Sequence, residues 1–177
     1  VYGVEVTSRE DVHCLVFFDN DEQLHLFQEF IDQVMSNIAN DTSLFGHQLI
    51  VDAEERILEE ITHSLYPGLN VGIVDILAKV RELGGYFVPA HIDRSMNGLY
   101  SQLGFFPEDL EVDAVEIFRN TERSVILESK RELEEYQLLK SSDAHFIEDI
   151  GRCTSLLEMK KKNFTELGLA LRGEDER

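Results

Sequence analysis

Cysteine is almost missing from this sequence. Cys14 and Cys153 are the only two among 177 residues, too few and too scattered for a disulfide framework or a thiolate zinc site, and both read as buried, reduced side chains. No apolar run approaches the roughly 18 residues a membrane helix needs, and the N-terminus has no basic-then-apolar leader pattern. A cytoplasmic home without a membrane partner follows from those absences. Basic residues are scarce too: 16 Lys and Arg stand against 35 Asp and Glu, for a formal charge of −19 and no basic stripe. That balance opposes broad binding to long duplex nucleic acid, whereas an acidic pocket suits cations. Repeats and low-complexity segments are absent.

What is present is an ordinary globular composition, 43% apolar and 29% charged. The length suits one domain over residues 1–173 with a loose tail at 174–177. The chain opens at Val1 without a methionine and runs directly into an apolar strand pattern, which reads as the interior of something longer.

Val1 to Thr7 and Val12 to Phe18 are apolar and β-branched runs joined by a polar link, a hairpin signature. With Arg9, Glu10 and Asp11 as the loop, Thr7 faces His13 and Glu5 faces Leu15, so Glu5, Thr7 and His13 share a face. Apolar spacing of three and four from Asp21 to about Ala39 predicts an amphipathic helix. A short strand is expected over Gln48 to Val51 and a short helix over Glu54 to Leu65. A helix capped by Asn70 and stopped by Gly84 and Gly85 leads into a strand ending at Ala90. An irregular stretch from Ile92 to Phe106 follows, then a strand from Asp113 to Phe118 and a polar helix from Thr121 to Glu135. After the apolar run Tyr136 to Lys140, a strand is expected over Ser155 to Met159. A last helix has Asn163 and Glu166 in capping-box spacing. Alternation of strand and helix in the second half predicts an α/β fold with parallel strands.

Two strands end in ligand-type side chains. His91 follows the run Tyr86 to Ala90, and Asp143 and His145 follow the run Tyr136 to Lys140, two residues apart and so pointing the same way. In parallel α/β sheets the C-terminal strand ends carry the chemistry. Imidazole and carboxylate donors without thiolates suit Zn, Mn or Fe, and a cluster of such ions turns water into a nucleophile near neutral pH. His25, His47 and His63 fit no such pattern and read as surface or helix-face residues.

In this order, Gly3-Val4-Glu5-Val6-Thr7, Val12-His13-Cys14-Leu15, Pro89-Ala90-His91-Ile92-Asp93-Arg94 and Ser142-Asp143-Ala144-His145 resemble the PHP family, the polymerase and histidinol phosphatase domain of metal-dependent phosphoesterases. The resemblance implies a distorted (β/α)7 barrel, here without its N-terminal strands and their His-x-His motif, and up to three divalent ions at its mouth. It implies that Glu5 bridges ions, that His13 and His91 are imidazole ligands, and that Asp143 and His145 form the final ligand pair. Arg94, by its charge and position, is expected to hold a substrate phosphate. The expected activity is hydrolysis of a small phosphorylated substrate, such as a nucleotide, a sugar phosphate or a short oligonucleotide end, by metal-bound hydroxide. The alternatives are a noncatalytic or degenerate module acting through binding, and an α/β domain whose histidines are incidental.

Overall fold

The computed structural model describes residues 1–174; of the tail expected at 174–177, residues 175–177 lie outside the described residues. Two apolar runs form the hairpin at its centre. Strand β1 (Tyr2–Thr7) pairs antiparallel with β2 (His13–Phe18), with Thr7 opposite His13 and Glu5 opposite Leu15, the register expected from the loop. The turn closes where the Ser8 N–H donates to the Val12 carbonyl at 2.9 Å, with Asp11 in the left-handed region at φ 61°. Alternation along β2 sends Cys14, Val16 and Phe18 into the core and leaves His13, Leu15 and Phe17 half-buried. Strand β5 (Tyr86–Pro89) lies antiparallel on the other side of β2, with Cys14 opposite Pro89 and Phe17 opposite Tyr86, giving the sheet order β1-β2-β5.

Helix α1 (Asp21–Val34) buries Phe27 and Ile31. Its capping box is reciprocal: Asn20 accepts from the Gln23 N–H at 3.0 Å while the Gln23 side chain accepts from the Asn20 N–H at 3.3 Å. The helix ends about a turn before Ala39, because Met35 is already extended. Helix α3 (Ile73–Glu82) buries Ile73, Ile76, Leu77 and Val80. Its start is capped from within by Asp75 of the first turn, accepting from the Gly72 N–H at 3.1 Å, and from outside by Glu10 of the hairpin turn, accepting from the Ile73 N–H at 3.0 Å. Shorter helices are α2 (Thr42–Phe45), α4 (Leu99–Leu103) within the stretch expected to be irregular, α5 (Arg123–Ser129) and α6 (Phe164–Leu171). The expected helix over Thr121 to Glu135 breaks at Lys130 and continues as a 3-10 turn, Arg131–Glu135. No helix among the described residues is long and apolar enough to cross a membrane.

The helix expected over Glu54 to Leu65 is instead β4 (Ile57–Glu60), paired antiparallel with β3 (Leu49–Val51). Turn chemistry decided it. The Asp52 carboxylate accepts from the Glu54 and Arg56 N–H groups at 3.0 and 2.9 Å, and Glu55 takes φ 61°, so the chain reverses where the apolar spacing suggested a helix.

Nor do the described residues close into a (β/α)7 barrel. They form a small α/β arrangement with sheets of three, two and two strands, and β6 (Val115–Glu116) and β7 (Leu138–Leu139) are the one parallel pair among them. Closure needs a continuous ladder around the ring. Here β5 meets the β6 region through isolated bonds, Asp113 N–H to the Phe87 carbonyl at 3.0 Å and Ile92 N–H to the Glu116 carbonyl at 2.8 Å, and β1 stands at a sheet edge. The expected strand over Ser155 to Met159 is irregular. Ser155 meets β7 with its hydroxyl, which accepts from the Lys140 N–H and donates to the Lys140 carbonyl. The capping box of α6 is half made, since Glu166 turns away to accept from the Lys160 N–H.

Asp113 ties these parts together. Fully buried, its carboxylate accepts from the Phe87 N–H at 2.8 Å and from Arg81 and Arg172 at 3.0 and 3.2 Å. Asp113→Ala should therefore cost about 3 kcal/mol of unfolding free energy, the low end for breaking a buried charge pair because both guanidiniums still reach water. Urea denaturation checks this, and a loss below about 1 kcal/mol would mean that the network contributes little.

Candidate metal centre

Antiparallel pairing of β2 with β5 builds the centre. Because Cys14 lies opposite Pro89, the first residue of β2 sits beside the residues leaving β5, and the Ala90 N–H donates to the His13 carbonyl at 3.0 Å. His13 and His91 thereby come together with ring centroids 5.2 Å apart. Glu5, two residues before the partner of His13 and on the same face, puts Oε1 at 2.9 Å from His13 Nδ1 and 3.9 Å from His91 Nε2. One donor atom from each of Glu5, His13 and His91 lies within 4.8 Å of the others.

The backbone around His91 is held on several sides. His91 itself adopts φ 28°, its carbonyl accepts from the Arg94 N–H, and the Ile92 N–H is taken by Glu116. Gly98 permits this packing, since a Cβ there would collide with the Arg94 carbonyl oxygen. His13 is fastened to the same loop through its N–H and the Asn97 carbonyl at 3.0 Å.

The His91 side chain is 2% exposed, yet neither ring nitrogen has a hydrogen-bond partner among the described residues. A buried polar group in that state costs about 1–3 kcal/mol unless something else satisfies it. Burial, and after it the nearby His13, lowers the His91 pKa and keeps the ring neutral, the form that donates a lone pair to a cation. The hydrogen bond from His13 holds the Glu5 carboxyl below its usual range, so Glu5 is ionised. One carboxylate and two imidazoles, one of them buried and unpartnered, suit a borderline divalent ion.

Asp143 and His145 lie outside this three-residue set. The Asp143 carboxylate is engaged by Arg94 at 2.8 Å, and its backbone has φ 45°. His145 is exposed, with Nδ1 3.0 Å from the Asp143 carbonyl oxygen and 3.8 Å from Oδ1. Arg94, expected to meet a phosphate, thus holds Asp143. The remaining histidines are elsewhere: His25 pairs with Asp21 and His47 with Glu60, both exposed, while the backbone of His63 bridges to Ala39.

Sequence reasoning missed Glu116. This carboxylate is 4% exposed, accepts a short hydrogen bond from the Ser141 hydroxyl, and has its pKa raised by burial and then, against the Ser141 bond, by the charges of Glu5 and Asp143. It joins the turn after His91, through its carbonyl and the Ile92 N–H, to the loop before Asp143. The available signal was one acid inside the apolar run Ala114 to Phe118.

No protein-family profile matches the sequence. The uncharacterized protein YqxK of Bacillus subtilis (strain 168) is 30% identical over 171 residues, covering 94% of this chain and 38% of YqxK. Among solved structures, the chain is similar over its whole length to 40% of the lesion-specific endonuclease PfuEndoQ from Pyrococcus furiosus, with a TM-score of 0.76 and 21% identity. It is similar to the same extent to Endonuclease Q in complex with a 27-mer duplex substrate carrying an abasic lesion at the active site, with a TM-score of 0.68. The chain spans about two fifths of the length of these relatives. The expectation of a small phosphorylated substrate and no long duplex is overturned by this last structure, in which an endonuclease sharing the fold holds a 27-mer duplex. Formal charge does not exclude a duplex, because it is a sum over the chain, whereas contact with phosphates depends on the cations at one surface.

If the three donors hold an ion, saturating Mn²⁺ or Zn²⁺ should raise the thermal midpoint of chelator-treated protein, with about 2.7 kcal/mol of stabilisation at a hundred times Kd. His91→Ala and Glu5→Gln should lose that shift in differential scanning calorimetry. An equal shift in both variants would place the ion elsewhere.

Proposed function

We propose that this chain carries the metal-binding core of a phosphodiester hydrolase acting on duplex nucleic acid. The observation that carries the reading is the buried, unpartnered His91 imidazole facing Glu5 and His13. Likeness in fold to a lesion-specific endonuclease supports the substrate class, and makes a duplex with a damaged or abasic residue the first candidate. The resemblance of the four sequence pieces to PHP-family phosphoesterases supports the same chemistry.

A divalent ion bound by Glu5, His13 and His91 would supply Lewis acidity toward a phosphoryl oxygen and lower the pKa of water. Glu5 brings the negative charge, kept ionised by His13. His91 brings a neutral donor that burial orients and protects from protonation. Asp143 and His145, on the neighbouring loop, are the residues proposed to add further ligands. Arg94 restrains Asp143 in the meantime and can exchange that carboxylate for a phosphate, since its planar fork fits either anion. Glu116 positions the loop through Ser141.

The test is strand incision on a labelled duplex with a single abasic residue, with Mn²⁺ or Zn²⁺ added back after chelation. Metal-dependent incision by the parent is expected, with a loss beyond about 100-fold in His91→Ala and Glu5→Gln, more than a lost outer-shell partner usually costs. Incision that survives both substitutions, or that ignores the chelator, would refute the reading.

A further inference from the structure

Most arginines of this acidic chain are spoken for. Arg9, Arg56, Arg81, Arg94, Arg152 and Arg172 each pair with a carboxylate. Among the described residues Arg119, Arg123 and Arg131 have no such pair, and of these Arg119 lies beside the candidate centre's loop together with Lys140, which has none either. An Arg119 N–H donates to the Ser142 carbonyl at 2.7 Å, and the guanidinium lies 6.0 Å from the Phe118 ring centroid. The Lys140 ammonium reaches the Arg119 carbonyl at 3.5 Å. With Arg94 on Asp143, three cations are anchored to the four consecutive residues 140–143.

That loop also touches the candidate centre, because Ser141 bonds Glu116 and Asp143 lies within electrostatic reach of His91. Its nearby carboxylates are used: Asp143 by Arg94, and Glu116 is buried against Ser141. The exposed Arg119 keeps most of its five donors beyond the one spent on Ser142. Arg119 is fastened to the loop at Ser142 and the Lys140 ammonium reaches back to the Arg119 carbonyl, so two cationic residues without a carboxylate partner are joined by these contacts, an arrangement that favours an anion.

We propose that Arg119 and Lys140 form a phosphodiester-binding site that holds the nucleic-acid strand beside the metal centre. This rests on the reading of the protein as a nucleic-acid hydrolase. It also explains how a chain with formal charge −19 engages a polyanion: the contact is made by a few cations that its own carboxylates leave unpaired.

The experiment measures binding of the abasic duplex by fluorescence anisotropy without metal, so that no strand is cut, across a salt series. Arg119→Ala with Lys140→Ala should weaken binding about tenfold or more at low salt and lower the slope of log affinity against log salt by about two. Arg119→Gln and Lys140→Gln alone should each lower it by about one. Mn²⁺ affinity, read by calorimetry, should match the parent throughout. Lys161→Ala with Lys162→Ala removes the same charge from another exposed segment and should leave the slope nearly unchanged. If that control weakens binding equally, total charge is responsible and the site is wrong. An unchanged slope in the Arg119 and Lys140 variants overturns the site while leaving the hydrolase reading intact. A parent that neither binds nor incises the duplex ends both.

Discussion

The pairing of Cys14 with Pro89 is the contact on which the rest of the candidate centre depends. It sets β2 antiparallel to β5, so the beginning of one strand and the end of the other meet at the same edge. His13 and His91, far apart in sequence, become neighbours for that reason. The hairpin register then brings Glu5 to the same place, because side chains two apart on β1 share a face. A slip of one residue in either pairing would turn His13 or Glu5 to the opposite side, where Cys14, Val16 and Phe18 fill the core.

His91 is costly to build. It combines a left-handed backbone with a buried ring whose nitrogens bond to nothing among the described residues. Such costs persist where the surroundings over-determine the residue, and here Arg94, Gly98, Glu116 and His13 all press on or bond to its backbone neighbourhood. The same logic extends to the Asp143 loop, also left-handed and held by Arg94 and Arg119. Ile92 and Leu99 anchor the first of these loops in the core, and the polar contacts then fix the conformation of His91 itself.

The charge distribution separates two kinds of electrostatics. Asp113 sits fully buried among Arg81, Arg172 and a backbone N–H, where the low dielectric makes each bond matter for the fold. Around the candidate centre, burial and then the charges of Glu5 and Asp143 raise the Glu116 pKa, a like-charge arrangement that stabilises nothing by itself and favours a cation. Net charge, dominated by the solvated surface, reports neither.

Local chemistry in the sequence was enough for the elements that depend on near neighbours. The Arg9-to-Asp11 turn and alternation along two β-branched runs determined the β1–β2 hairpin and its register, and Asn163 and Gly84 marked helix boundaries, whereas the cap expected at Asn70 falls at Gly72. Glu5, His13 and His91 could be singled out, since ligand-type residues in strands and at strand ends stand out against apolar runs. Tertiary structure decided what depends on distant partners. It made β5 antiparallel to β2 in small open sheets where alternating elements suggested parallel strands and the family resemblance implied a barrel, and it turned residues 57–60 into a strand because Asp52 captured the turn. It also buried Glu116 behind His91 and gave Arg94 to Asp143. Strand direction and the partner of a charge are set by which surfaces meet, and that information is spread across residues too far apart in sequence for any local pattern to hold it.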